Sequence, residues 1–179
     1  MFVKLAAAVL ATAVLTALVM DWSFESDAAD FELSSPLKEW RGKGQLVEVN
    51  GLQMFLIDIN KNAHEPAIIL FHGFPSSSYE YSRALPFLLE KLKHRRLVLF
   101  DHVGFGFSDK PKVDYDYTLH DHAENALKLM QILNIEAAHI VAHDMGDSVL
   151  TEILSRRHLG LLPDSFRSFF KVYPFSYRR

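Results

Sequence analysis

Residues 138–146 read AHIVAHDMG, and the reading of this stretch decides the fold. Ala138 to Ala142 is a short, mostly apolar run, the pattern of a strand buried on both faces. Ala142 and Gly146 then bracket Asp144 in a small–x–Asp–x–small arrangement. Small residues at those two places let backbone pack closely around a sharply turned residue between strand and helix. Such a turn lifts the Asp144 side chain above the sheet at a helix N-terminus. There the backbone N–H of Met145 can point at a developing oxyanion, and the helix dipole favours negative charge. Aspartate is also a favoured N-cap, so taken alone the stretch has an ordinary structural explanation.

The segments upstream weigh against that explanation. Leu97 to Phe100 (LVLF) and Ala67 to Phe71 (AIILF) are continuous apolar runs and read as two more buried strands. Thr118 to Leu133 places Leu119, Ala123, Ala126, Leu127, Met130 and Leu133 at a helical period. Gly146 to about His158 is again helical, with Val149, Leu150, Ile153 and Leu154 on one face. Ser77 and Glu80 have capping-box spacing for a helix running to about Lys93. Before all of these, Gln45–Val49 and Met54–Ile59 alternate apolar and polar around Asn50-Gly51, a strong hairpin signal. The order is a hairpin followed by βαβαβα, which predicts an α/β fold with a parallel sheet and helices on both faces. Phe166 to Phe170 is a candidate next strand, which puts the domain at residues 44–170. Residues 171–179 (KVYPFSYRR) read as an atypical tail.

Ligands of parallel α/β sheets gather at the C-terminal ends of the strands. Three unusual segments fall there: His72-Gly73-Phe74-Pro75, then Asp101 to Ser108, then Ala142 to Gly146. Their occurrence in register is more specific than any one of them. The Phe74 N–H is the expected second donor beside that of Met145, with Gly73 removing a side chain that would block it. Gly104 and Gly106 lack the third glycine and the Lys-Ser/Thr ending of a phosphate-binding loop, so they read as a tight turn shaping the rim of the site. His120 and His122 stand two apart on a helix and do not face each other, which suits solvated surface residues better than metal ligands. His143 is expected to point away from Asp144 and to make a structural hydrogen bond. These residues call for neither a cofactor nor a metal.

The chain has 179 residues, 49% of them hydrophobic, and a formal net charge of −3, a composition that suits one globular domain. No basic stretch is dense enough to hold a nucleic-acid backbone. Cysteine is absent, which excludes a disulfide framework and a thiolate metal site. The first twenty residues are of another kind: Lys4 precedes an unbroken run of Ala, Val, Leu, Thr and Met from Leu5 to Met20. Its sixteen residues span roughly 24 Å as a helix, short of a roughly 30 Å hydrocarbon core. Phe2 and Val3, with Lys4 snorkelling, bring the segment closer to spanning length. An uncleaved signal anchor and a cleaved signal peptide both fit, since Ser26-Asp27-Ala28 offers small residues at cleavage spacing. Lys4 before the run and acidic residues after it predict a cytosolic N-terminus and a domain in the endoplasmic reticulum lumen or elsewhere along the secretory route. Residues 21–43 are polar and read as a linker or juxtamembrane segment.

Taken together, His72-Gly73-Phe74-Pro75, the Gly104–Pro111 run GFGFSDKP and His143-Asp144-Met145-Gly146-Asp147 resemble the epoxide hydrolase and haloalkane dehalogenase branch of the α/β-hydrolases. The resemblance covers about residues 36–168. It implies that Asp144 is a nucleophile that attacks an electrophilic carbon and forms an ester. A histidine oriented by an acid then activates water to hydrolyse it. It also implies that Phe74 and Met145 supply a backbone oxyanion hole, and that His72, Gly73, Pro75, Gly104, Gly106 and Gly146 shape the site loops. Dehalogenases of the branch usually place Trp after the nucleophile and Asn in the HGxP slot. Met145 and Phe74 have no side-chain donor, so a small electrophile such as an epoxide is the better-fitting substrate.

A complete member of that family adds further strands, a cap insertion and a late catalytic histidine. This sequence supplies the N-terminal half of the fold. No histidine follows His158, and His158 lies fourteen positions beyond Asp144, roughly 21 Å away along one helix. His102 stands at the correct sheet edge, but the family does not use that position as a base. The chain is therefore expected to present a nucleophile without its base, as a truncated hydrolase or as a non-catalytic, membrane-tethered form. A serine esterase or lipase of the same fold is a weaker alternative, because Ser148 lies one turn into the helix.

Overall fold

The computed structural model describes residues 32–63, 66–162 and the backbone of 170–172. Asn50 and Gly51 both take positive φ, 51° and 80°, as a two-residue type I′ turn requires. They join β1 (Gln45–Val49) to β2 (Leu52–Ile59) with Val49 opposite Leu52. β2 does not keep the expected alternation, since Met54 to Ile57 are all buried. The reason is that both faces of the sheet are covered at this strand. Met54 and Leu56 enter one apolar cluster, and Phe55 and Ile57 the other.

The remaining strands are β3 (Ala67–Phe71), β4 (Leu97–Phe100), β5 (Ala138–Ala142) and β6 (Phe170–Val172). The sheet runs β1-β2-β4-β3-β5-β6. β1/β2 and β2/β4 pair antiparallel, whereas β3/β4, β3/β5 and β5/β6 pair parallel. The sheet is therefore mixed: the hairpin is added antiparallel to a parallel set centred on β3. β6 corrects the expectation of a strand over 166–170, because it begins at Phe170 and takes in Lys171 and Val172 of the supposed tail. The pairing of Phe170 with Ala138 and of Val172 with Ile140 sets that register.

One face of the sheet is covered by α3 (Leu119–Ile132) and α4 (Met145–His158), the other by α1 (Ser35–Gly42) and α2 (Leu85–Lys91). Ala123, Ala126, Leu127, Leu129 and Met130 of α3 and Val149, Leu150 and Ile153 of α4 pack on Met54, Leu56, Ile69, Phe71, Val98 and Phe100. On the other face Trp40 and Leu85 pack with Phe55, Ile57, Leu70 and Leu99. α1 lies within residues 21–43, which composition suggested was a linker. One aromatic anchor is enough to order it: Trp40 is buried, and its indole N–H donates to Ser78 Oγ at 3.2 Å.

The single helix expected over 77–93 is instead a 3₁₀ turn (Ser78–Ser82) followed by α2. Pro86 stands in the first turn of α2, where its missing N–H costs nothing, and so marks a fresh helix start. Ser77 does cap, accepting from the Tyr79 N–H at 3.3 Å, but Glu80 turns elsewhere, as described below. α3 carries the reciprocal capping box: Thr118 Oγ1 accepts from the Asp121 N–H, and Asp121 Oδ2 accepts from the Thr118 N–H. No helix among the described residues is long and apolar enough to cross a membrane. The anchor or signal expected over 1–20 lies outside the described residues.

Candidate active site

β5 ends at Ala142 and α4 begins at Met145, so the chain reverses within two residues. Asp144 absorbs that reversal at φ 54°, ψ −119°, a conformation costly for a residue with a side chain. The packing around it holds it there. Gly146 sits so close to β3 that a Cβ would lie 2.7 Å from His72 O and 2.8 Å from Phe71 O. Gly73 is equally confined, since a Cβ would meet Asp144 Cβ at 2.8 Å and His143 Nδ1 at 2.9 Å. The two glycines let the loop after β3 and the turn after β5 touch backbone to backbone.

That approach brings two donors to one oxygen. The Phe74 N–H donates to Asp144 Oδ1 at 2.9 Å and the Met145 N–H donates to the same oxygen at 2.6 Å. These bonds, Phe74 first, hold the Asp144 carboxyl below the usual carboxylate range, with His143 adding a smaller electrostatic contribution. Asp144 is ionised at neutral pH, exposed, and bound through one oxygen, while Oδ2 has no hydrogen-bond partner among the described residues. Pro75 follows a cis peptide bond from Phe74. The Phe74 ring is 65% exposed and meets Phe105 edge-on at 6.0 Å between centroids, forming an aromatic rim next to the carboxylate.

The loops are fixed from beneath. His72 Nε2 accepts from the His102 backbone N–H at 2.9 Å, which places the proton on Nδ1, where it bonds Gly73 O at 2.9 Å. Asp101 is buried, and the sequence reading did not single it out. Its Oδ1 accepts from the Ser78 N–H and its Oδ2 from the Phe107 N–H, both at 2.7 Å. A Cβ on Gly106 would fall 2.0 Å from Asp101 Oδ2, so the second glycine of the turn exists to let this carboxylate in. Ser108 Oγ donates to Asp101 O at 2.7 Å and accepts from the Phe55 N–H at 2.9 Å, tying the turn to β2. Gly104, at φ 94°, lies under Tyr117. Asp101 closing a D-x-x-G-x-G-x-S turn is a signal the sequence does carry.

One of the two α3 histidines departs from its expectation. His122 is buried, not solvated, because it shares the inner face of α3 with Ala126 and Leu129. His120 is exposed, its Nδ1 3.7 Å from Glu152 Oε1. His102 is also buried, edge-on to Phe71, Phe100, His72 and His122, and neither of its ring nitrogens has a hydrogen-bond partner among the described residues. Burial holds the His102 imidazole neutral and its pKa well below the ordinary value, with His72 and His122 adding to the effect. His143 is an exposed side chain with Nδ1 3.6 Å from Glu80 Oε1. Among the described residues no three His, Cys, Asp or Glu side chains converge to hold a metal.

The profile of the alpha/beta hydrolase fold family matches residues 66–170, the span that carries all three site loops. The mesoderm-specific transcript homolog protein of Bos taurus is 34% identical over 128 residues, covering 70% of this chain and 37% of that protein. Among solved structures, epoxide hydrolase VrEH1 from Vigna radiata superposes with a TM-score of 0.55 at 27% identity, covering 63% of this chain and 35% of that one. Haloalkane dehalogenase DatA from Agrobacterium tumefaciens C58 gives a TM-score of 0.54 at 27% identity, over 65% of this chain and 37% of that one. The chain thus spans well under half the length of each of these relatives. On the matched residues and the sheet they build, the chain belongs to the α/β-hydrolase fold family.

Proposed function

We propose that this chain carries the nucleophile of an epoxide-hydrolase-like enzyme and that Asp144 is that nucleophile. The observation that carries the proposal is the asymmetry of the Asp144 carboxylate: Oδ1 is held by two backbone N–H groups and Oδ2 has no partner among the described residues. An electrophilic carbon approaching Oδ2 forms a C–O bond as the epoxide C–O bond breaks, and the departing oxygen takes a proton from water. Oδ1 then becomes the ester carbonyl oxygen, already seated between the two donors that would stabilise negative charge when water adds. Phe74 and Met145 lack side-chain donors for a leaving halide, which favours epoxides over haloalkanes.

No histidine among the described residues hydrogen-bonds Asp144. Hydrolysis of the ester therefore relies on a base from outside those residues. Residues 1–20 acting as a membrane tether, with the domain on the lumenal side, belong to the same proposal. Carbonate extraction tests the tether, because release of the chain to the supernatant excludes it. The nucleophile is tested by intact-protein mass spectrometry after incubation with styrene oxide. The expected result is one added mass equivalent, mapped by peptide sequencing to Asp144. Asp144→Asn is expected to abolish the adduct. An unmodified wild-type protein with an intact fold would instead support a non-catalytic, binding role.

A further inference from the structure

Glu80 belongs to neither the loop after β3 nor the turn after β5, yet it touches both. Its Oε2 accepts from the Gly73 N–H at 3.4 Å, and its Oε1 lies 3.6 Å from His143 Nδ1. Gly73 is the residue before Phe74, and His143 is the residue before Asp144. The carboxylate thus bridges the two segments one residue behind the donor and the acceptor that define the site. Its side chain is 20% exposed, against 70% for His143, so the bridge is anchored at its inner end. The next residue reinforces that end, since the Tyr81 hydroxyl donates to Phe71 O at 2.7 Å on the last residue of β3. Capping-box spacing with Ser77 gave Glu80 a helix-end role. The structure has it facing away from that cap, toward the loop.

We infer that Glu80 is a positioning residue that holds the Gly73-Phe74 loop in register with the His143-Asp144 turn, and so sets the hydrogen bond from Phe74 N–H to Asp144 Oδ1. The inference rests on the reading of Asp144 as the nucleophile for its kinetic consequence but not for its structural one. A Cβ on Gly73 would fall 2.8 Å from Asp144 Cβ and 2.9 Å from His143 Nδ1, so the loop has no room to move further inward, and Glu80 joins the bonds at Phe74 N–H and Gly73 O in resisting an outward swing. Losing it moves a donor away from the oxygen it serves, and a displacement of about 1 Å in such a group can cost up to roughly a hundredfold in rate.

The experiment uses the full chain with Glu80→Ala and Glu80→Gln, labelled by styrene oxide and followed in parallel by ¹⁵N–¹H NMR. Glu80→Ala is expected to slow the maximal labelling rate about tenfold or more at an unchanged half-saturating concentration, and to move the Phe74 and Gly73 amide resonances upfield. Glu80→Gln keeps an acceptor oxygen for the Gly73 N–H and is expected to stay within about threefold of wild type. A rate and a Phe74 amide resonance unchanged in a folded Glu80→Ala protein would overturn the inference. Equal damage from Gln and Ala would overturn it as well, because it would trace the effect to charge and not to position. If wild type does not label at all, the nucleophile reading fails alone, and the Phe74 resonance in Glu80→Ala still decides whether Glu80 positions the loop.

Discussion

Gly146→Ala is expected to lower the melting temperature by roughly 10 °C, the effect of about 3 kcal/mol of overpacking in a domain of this size. The added methyl has no direction in which to yield. Its three nearest neighbours are His72 O at 2.7 Å, Phe71 O at 2.8 Å and Phe71 Cβ at 2.9 Å, all on or just past the central strand of the sheet. Relief requires α4 to move off β3, which withdraws Val149, Leu150 and Ile153 from the larger apolar cluster. Gly42→Ala is the control, because nothing lies within 4 Å of a Cβ there and the φ is not positive. That change is expected to leave stability unaltered or raise it by up to about 1 kcal/mol through the unfolded chain. Thermal denaturation of the two variants side by side checks the argument, and equal melting points would refute it.

The second large effect is loss of stability on acidification through the histidine range. His72, His102 and His122 are all buried, and burial is the leading cause that lowers each pKa below the ordinary value of 6.5. The sign follows from proton counting. Below pH 6.5 the unfolded chain takes up protons at these positions while the folded chain resists, so the unfolded state binds more and stability falls as pH falls. The stability is fully present above pH 6.5 and is lost progressively down to the lowered native values. Each unmatched proton contributes a slope of about 1.4 kcal/mol per pH unit, so three give at most about 4. Urea denaturation at pH 8, 7, 6 and 5.5 measures that slope directly. His102→Leu is expected to reduce it by about one proton and to leave stability at pH 8 unchanged or higher, since the ring nitrogens it removes have no partner. A pH-independent stability between 8 and 5.5 would contradict the assignment of all three rings as neutral and buried.

The strands and the hairpin were readable because the physical cause of each is local. Asn50-Gly51 demands positive φ wherever it occurs, and AIILF and LVLF leave no polar face for water. What escaped the reading was decided at a distance. Trp40 sits in a polar stretch, and its burial against Ser78, Tyr79, Leu85 and the underside of the sheet fixes that stretch as a helix. Glu80 satisfies a capping rule in sequence, but Gly73 offers its N–H in space, and the tertiary bond was made. His122 stands two positions from His120 in sequence, but its neighbours on the helix face are Ala126 and Leu129, one and two turns on. In the candidate site, the confinement of Gly73 and Gly146 and the reach of the Phe74 and Met145 N–H groups toward Asp144 followed from residue types at fixed spacings. The spacing D-x-x-G-x-G-x-S marks a turn that begins at Asp101, but its bonds from the distant Ser78 N–H and from Phe107 N–H are set by the folded arrangement.

The bond from Phe74 N–H to Asp144 joins residues 70 positions apart, and that separation governs when the site comes into being. Closing a loop of this length costs roughly 4 kcal/mol of chain entropy beyond the fixed cost of initiation, and only the completed pairing of β3 with β5 offsets it. The β1–β2 hairpin, by contrast, closes over two residues and can form in microseconds. During synthesis this pair of bonds to Asp144 Oδ1 cannot exist until β5 and the start of α4 have left the ribosome and docked, whatever has folded before. The Asp144 carboxylate therefore acquires its two backbone donors only once β3 and β5 have paired, and until then it is an ordinary aspartate.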